Sequence, residues 1–280
     1  MELCIFKLMS KKILIIGGSG FLGNALYKEL NSYFNTYATF KTASSFYEKN
    51  QKFYAFDYEN EPVAILLDTI KPDYIISAVR GNFTSQLYFH YQLIDWIKVN
   101  KSRLIFLSSS NVFDSFHHYP SYEYDKTFSE STYGHFKIKI ENALLRLPNT
   151  KYVIARLPMI YGHGSPRIKE IKTLHHLKSP IEVFPNVVIN ATTVSKFTQQ
   201  IHYIINRNRK GVFHLGSIDL IHHMDLIKDI ADILNLKKCI YKQVFSSNKE
   251  RYLAVLPKDN LLPKNLQFTI DDVVKGSLKI

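Results

Sequence analysis

Cysteine is almost absent: Cys4 and Cys239 are the only thiols in a chain of 280 residues. Two residues so far apart make no disulfide framework, which points to a reducing compartment. Long apolar runs are missing too. No stretch approaches the roughly 20 residues of a membrane span, and Met1 to Leu8 is too short for a signal peptide, so the expected location is cytoplasmic with no membrane partner. Met9, directly before Ser10 and the first apolar run, is a second candidate start. Metal ligation lacks its usual spacing. The histidine pairs at 117/118, 175/176 and 222/223 are adjacent and diverge on a helix or a strand, no His-x-x-x-His occurs, and no carboxylates stand at ligand spacing, so no metal is expected. There is no internal repeat, no low-complexity tract and no charge block. Basic side chains outnumber acidic ones 36 to 24, a net +12, but they are spread along the chain. The surplus therefore reads as a solvated surface able to attract phosphorylated small molecules, and no nucleic-acid partner is expected.

With 46% hydrophobic residues there is ample material for one core and for a second lobe. Glycine, 11 residues in all, is concentrated where it matters. The apolar run Ile13-Leu14-Ile15-Ile16 opens into Gly17, Gly20 and Gly23. This is a strand, a tight turn and a helix start, an arrangement that can hold a dinucleotide pyrophosphate on backbone N–H groups. Gly17 serves the turn, Gly20 the close approach of phosphate, and Gly23 the packing of the new helix. The spacing is G-x-x-G-x-x-G, and taken alone it also suits a turn shaped only by packing.

Tyr133-Gly134-His135-Phe136-Lys137 opens a stretch whose apolar spacing predicts a helix to about residue 147. Tyr133 and Lys137 then share one face. A phenol with a pKa near 10 is a poor proton donor at neutral pH, and an ammonium beside it lowers that value. By itself the pair is also a common accident on helices. A third element joins them: Arg103 to Ser109 reads as a buried strand ending in Ser108-Ser109-Ser110, where open α/β sheets place their ligands and a hydroxyl can hold a carbonyl oxygen.

Together these pieces resemble the extended short-chain dehydrogenase/reductase family over nearly the whole chain, most closely its dTDP-4-dehydrorhamnose reductase branch. The resemblance rests also on Pro72 to Ala78, on Leu107 to Asp114, on Glu141 after the Tyr-x-x-x-Lys and on Arg156 to Gly162. It implies a Rossmann-like, doubly wound α/β sheet with a smaller C-terminal substrate lobe. It further implies a nucleotide-sugar 4-ketoreductase of cell-surface polysaccharide precursor synthesis, acting on a nucleotide-diphosphate-linked deoxysugar. By resemblance Ser109, Tyr133 and Lys137 are catalytic, with Tyr133 and Lys137 also on the cofactor. Gly17, Gly20, Phe21, Leu22, Gly23, Asp57, Ser77 and Ala78 line the cofactor, Asp57 against the adenine. Ser109, Ser110 and Asn111 face the substrate, and Arg156 and Arg167 are candidate diphosphate partners, as are Lys169 and Lys172; each of these cations also suits a solvent-facing role. A homodimer is a candidate assembly.

Departures limit the transfer. Ser110-Asn111 replaces the Asp-Tyr usual in that branch, and Ser77 replaces its asparagine. The same two residues cannot supply the acid and base of a 4,6-dehydratase, and Asn111 stands where a two-centre epimerase has cysteine. A nucleotide-sugar 4-epimerase with the same triad, or a catalytically silent NADP-binding subunit, remain alternatives. The cofactor choice rests on an absence. No carboxylate lies between Glu29 and Glu48, where NAD-specific folds hold the ribose 2′-hydroxyl, and Lys41 stands there instead. NADP is therefore expected, with NAD as the alternative if Lys41 merely faces solvent.

Alternating signals predict strands near 12–17, 36–40, 52–56, 73–78, 103–109 and 152–157, and helices near 21–32, 62–70, 84–100 and 132–147. Residues 10–157, with returning segments at about 188–215, are expected to form the dinucleotide-binding domain. Residues 158–187 and 216–280, where Pro and Gly interrupt the rhythm, are expected to form the substrate lobe.

Overall fold

The structure is a computed structural model that describes residues 11–115, 118–162, 164–245 and 247–278. Cys4, the two candidate starts and His117 lie outside the described residues.

Seven strands form the main sheet: β1 (Lys12–Ile16), β2 (Asn35–Phe40), β3 (Phe53–Ala55), β4 (Tyr74–Ser77), β5 (Arg103–Ser109), β6 (Tyr152–Leu157) and β7 (Gly211–His214). Their order across the sheet is β7-β6-β5-β4-β1-β2-β3. Pairing is parallel from β3 through β5, with Ile13 opposite both Thr36 and Tyr74. The order reverses direction at β1, as expected for a doubly wound sheet, and ligands of such sheets lie at the carboxyl ends of the strands beside that reversal. Ile13 to Ile16 are all buried, because a central parallel strand is covered on both faces and so carries no polar alternation.

The helices that serve the site are α1 (Phe21–Leu30), α2 (Val63–Ile70), α3 (Phe83–Val99) and α4 (Thr132–Leu145). Asn82 starts α3, its side chain accepting from the N–H groups of Thr84 and Ser85, which satisfies two of the helix's unpaired donors. The α2 helix stops at Lys71, which takes a left-handed conformation with φ of 51°. In α4 the buried residues Phe136, Ile140 and Leu144 recur every four positions and draw that face into the core.

The chain divides into two compact units. Among the described residues, the first comprises those within 11–108, 136–155 and 201–211, the second those within 109–135, 156–200 and 212–278. Residues 109–135 fall in the second unit for a visible reason. Ser121 donates to the carbonyl of Ala254, and the buried Glu123 carboxylate accepts from the backbone of Lys258 and Asp259. The second unit has its own core, built from Tyr161, Ile168, Ile181, Ile189, Leu226 and Phe268. Its strands are short: Val187–Ile189 pairs with Ile221–His222 and with Arg251–Leu253, and Ile181–Val183 pairs with Tyr241–Gln243. Among the described residues no helix is long and apolar enough to cross a membrane.

Candidate active site

The glycine turn belongs to the first unit and is held from two sides. The Gly17 N–H donates to Thr39 Oγ1 at 2.9 Å and the Ser19 N–H to the Thr39 carbonyl at 3.2 Å, tying the turn to the end of β2. Gly17 has φ of +87°, and a Cβ there would lie 2.8 Å from the Ala78 carbonyl oxygen. A Cβ at Gly23 would lie 2.2 Å from the Gly17 oxygen, so this glycine is required for α1 to pack. Gly20 differs. A Cβ there would have a single neighbour within 4 Å, the Gly17 backbone oxygen, at a tight 3.3 Å. Gly20 is also the N-cap of α1 and offers no side-chain cap, while Phe21 and Leu22 supply the first helical N–H groups. First-turn N–H groups without a side-chain cap at a helix's positive end are what a phosphate requires, and the turn fits a dinucleotide on that ground.

At the end of β2 the structure adds something the linear reading missed. Lys41 Nζ lies 2.6 Å from Glu59 Oε2 and 3.0 Å from Asp57 Oδ2. Hydrogen bonds to Glu59 and then Asp57 raise the Lys41 pKa above its ordinary value. The stretch around Lys41 lacks carboxylates only along the chain; in space two are present.

At the end of β4, Ser77 is buried against His90 of α3. His90 Nδ1 lies 2.6 Å from the Gln86 carbonyl, which can only accept, so Nδ1 carries the proton. Nε2 is then the acceptor, and the Ser77 hydroxyl donates to it at 2.9 Å. Burial pushes the His90 pKa down to about 3, which keeps the ring neutral. Ser77 is thus left with its oxygen lone pairs for any ligand. Ala78 follows, its N–H bonded to the Ile16 carbonyl. Beyond it Arg80, exposed, accepts at its carbonyl from Tyr58 Oη at 3.0 Å.

Lys137 is buried, and its ammonium donates to the Leu107 carbonyl of β5 at 2.9 Å, 4.7 Å from the Phe106 ring centroid. Its pKa falls to about 8: burial lowers it most, Glu141 opposes the fall, and the Arg80 charge adds to it.

In the second unit Ser109 ends β5 and starts a single 3-10 turn. Its hydroxyl donates to Asn111 Oδ1 at 2.9 Å and accepts from the Asn111 N–H at 3.3 Å. Ser110 is buried beside it. Tyr133 is 38% exposed in the first turn of α4. Gly134 explains how that turn seats: a Cβ there would stand 2.3 Å from the Asn111 carbonyl oxygen. The segment bearing Tyr133 therefore packs directly on the backbone two residues after Ser109. Asp114 reinforces the junction, accepting from the Glu130 N–H and from the Ser131 hydroxyl at the start of α4. Tyr133 and Lys137 stand one turn apart on this one helix, which passes from the second unit to the first between His135 and Phe136.

Of the two candidate diphosphate arginines, Arg156 is buried and does not take the solvent-facing alternative. It is 2% exposed, donates to the Glu123 carbonyl at 2.9 Å and lies over the Phe113 ring, so its guanidinium braces the 109–135 segment. Arg167 is exposed in the first turn of the helix Pro166–His176, as are Lys169 and Lys172 further along it. Of the histidine pairs, His175 bonds the Lys237 carbonyl, while His222 bonds Glu250 and His223 accepts from the Phe184 N–H. No group of three metal-capable side chains occurs among the described residues. Sequence reasoning passed over Gly134, although a glycine inside a helix costs about 1 kcal/mol relative to alanine and so signals a packing need. For His90, Glu59 and Asp114 no local signal exists.

A curated dTDP-4-keto-6-deoxy-D-glucose reductase of Streptomyces niveus is 31% identical over 113 residues, 40% of this chain and 39% of that protein. The match thus spans about two fifths of the relative's length. Among solved structures, dTDP-4-dehydrorhamnose reductase of Yersinia enterocolitica is 20% identical with a TM-score of 0.76, covering 96% of this chain and 100% of that one. The dTDP-4-dehydrorhamnose reductase of Bacillus anthracis, solved in complex with NADP, is 19% identical with a TM-score of 0.76, covering 95% and 97%. At those identities the structures show a shared fold. Residues 13–193 match the NAD dependent epimerase/dehydratase family, and the chain belongs to that family.

Proposed function

We propose that the protein is an NADP-dependent oxidoreductase that reduces a keto group, at C4, of a nucleotide-diphosphate-linked deoxysugar. The observation that carries this reading is the seating of α4: Gly134 against the Asn111 backbone sets Tyr133 beside the Ser109 turn, with Lys137 one helical turn later. The Streptomyces and Yersinia relatives, both named as dTDP-sugar reductases, support the substrate class. The nicotinamide, when bound, supplies the hydride. Tyr133 gives its phenolic proton to the carbonyl oxygen as charge develops there. Ser109 turns its O–H from Asn111 Oδ1 toward that oxygen and stabilises it. Lys137 holds a positive charge near the phenol and the nicotinamide ribose. The N–H groups of Phe21 and Leu22 take the pyrophosphate, and the second unit supplies the substrate lobe, with the exposed Arg167 as its candidate diphosphate partner.

Absorbance at 340 nm tests the class. With a dTDP-4-keto-6-deoxysugar the protein is expected to oxidise NADPH stoichiometrically. A sugar epimerised with no net NADPH loss would make it an epimerase, and inertness toward the sugar with NADPH bound would make it a silent subunit.

The choice of NADP rests on Lys41 reaching a 2′-phosphate, and the structure sets two carboxylates in competition for that ammonium. Exposed pairs of this kind are weak, so Glu59→Gln is expected to raise the NADPH-over-NADH ratio of kcat/KM by about two- to fivefold. Lys41→Asp should flatten or reverse the ratio. If both variants keep the wild-type ratio, the 2′ position is read elsewhere.

A further inference from the structure

The mechanism leaves one buried carboxylate unused. Glu141 is fully buried in α4, one turn beyond Lys137. Its Oε1 accepts from Ser108 Oγ of β5, the residue directly before Ser109. Lys137 Nζ donates to the carbonyl of Leu107 on the same strand. Successive residues of β5 are thus tied to successive turns of α4, once through the ammonium and once through the carboxylate.

We propose that Glu141, seated by Ser108, is a positioning residue that keeps Lys137 an ammonium and holds α4 in register on β5. The inference rests on the reading of Lys137 given under the proposed function. A cation taken out of water is unstable unless an opposite charge or strong acceptors compensate it. Arg80, from the loop after β4, carries a like charge; His90, from α3, is neutral; Phe106 and Phe136 offer ring faces at 4.7 and 5.3 Å. Tyr133 stands one turn earlier on the same helix, and its phenolate would be the second anion only after the proton has left. Glu141 is the anion in place beforehand. Burial and Arg80 lower the lysine pKa and Glu141 raises it, leaving it near 8, so removal of the carboxylate moves the titration to lower pH.

The test follows the Lys137 Cε resonance in isotope-labelled protein, assigned by its loss in Lys137→Met, alongside the pH dependence of the NADPH dissociation constant. Wild type should titrate near 8. Glu141→Gln should titrate at least about one unit lower, a tenfold change in the charged fraction at fixed pH, and Glu141→Asp should restore most of the difference. Wild type alone gives a second measurement that needs no folded variant: the Glu141 Cδ resonance should step at the Lys137 midpoint, since the two side chains stand one helical turn apart. An unchanged Lys137 midpoint in Glu141→Gln, or a Glu141 resonance blind to Lys137, overturns the proposal. A Lys137 midpoint that shifts while NADPH binding does not follow supports Glu141 and removes the assigned contact between Lys137 and cofactor.

Discussion

Tyr133→Phe is expected to lower turnover by at least about a hundredfold, the lower bound for loss of a positioned proton donor, while the cofactor dissociation constant changes little. The substitution keeps the ring and removes one oxygen. Because Tyr133 is 38% exposed and α4 is seated through Gly134 and Ser131, thermal stability should hardly move. That separation makes the variant informative: an effect on turnover without one on folding or cofactor binding assigns the hydroxyl to the chemistry. Lys137→Met should lose both turnover and cofactor affinity, since its ammonium is assigned to the phenol and to the ribose. Near-normal turnover in Tyr133→Phe would remove the tyrosine from the mechanism.

The glycine turn separates two effects that its sequence presents as one. Gly20→Val should leave a folded protein with no measurable cofactor binding. A Cβ at Gly20 meets only one backbone oxygen, at 3.3 Å, and the branched side chain then fills the space before the α1 N–H groups that a pyrophosphate must enter. Gly23→Ala should fail differently. Its Cβ would sit 2.2 Å from the Gly17 oxygen and 2.8 Å from the Gly17 carbonyl carbon, both backbone, so α1 must shift off the turn. Overpacking of this kind typically costs about 1–3 kcal/mol, and the melting temperature should fall accordingly. Calorimetry with NADPH and a thermal melt on the two variants distinguish them. Wild-type affinity in Gly20→Val would contradict the assignment of the turn to the cofactor, and an unchanged melt in Gly23→Ala would contradict the packing account.

How much of this was legible beforehand depended on range. Strands β1 to β6 and the four site helices lie within two residues of where periodicity placed them, because an all-apolar run such as Ile13 to Ile16 and a four-residue repeat such as Phe136, Ile140, Leu144 are short-range signals, whereas β7 at Gly211–His214 and the short strands of the second unit gave no such signal. The relation of Tyr133 to Lys137 is likewise local, since one helix is enough to put them on a common face. The sequence by itself therefore determined the doubly wound order of elements, the glycine turn at a helix start and the pairing of Tyr133 with Lys137 on α4. Tertiary structure alone decided which charges meet. Lys41 finds Glu59 across 18 positions, Ser108 finds Glu141 across 33, and Ser77 finds His90 across 13. It also buried Arg156 against the 109–135 segment, where a reading of the chain left it either a diphosphate partner or a solvent-facing charge. The physical reason is that a side chain's charge state and partners follow from burial and distance, which the packing of separate elements sets, whereas helix and strand follow from spacing along the chain.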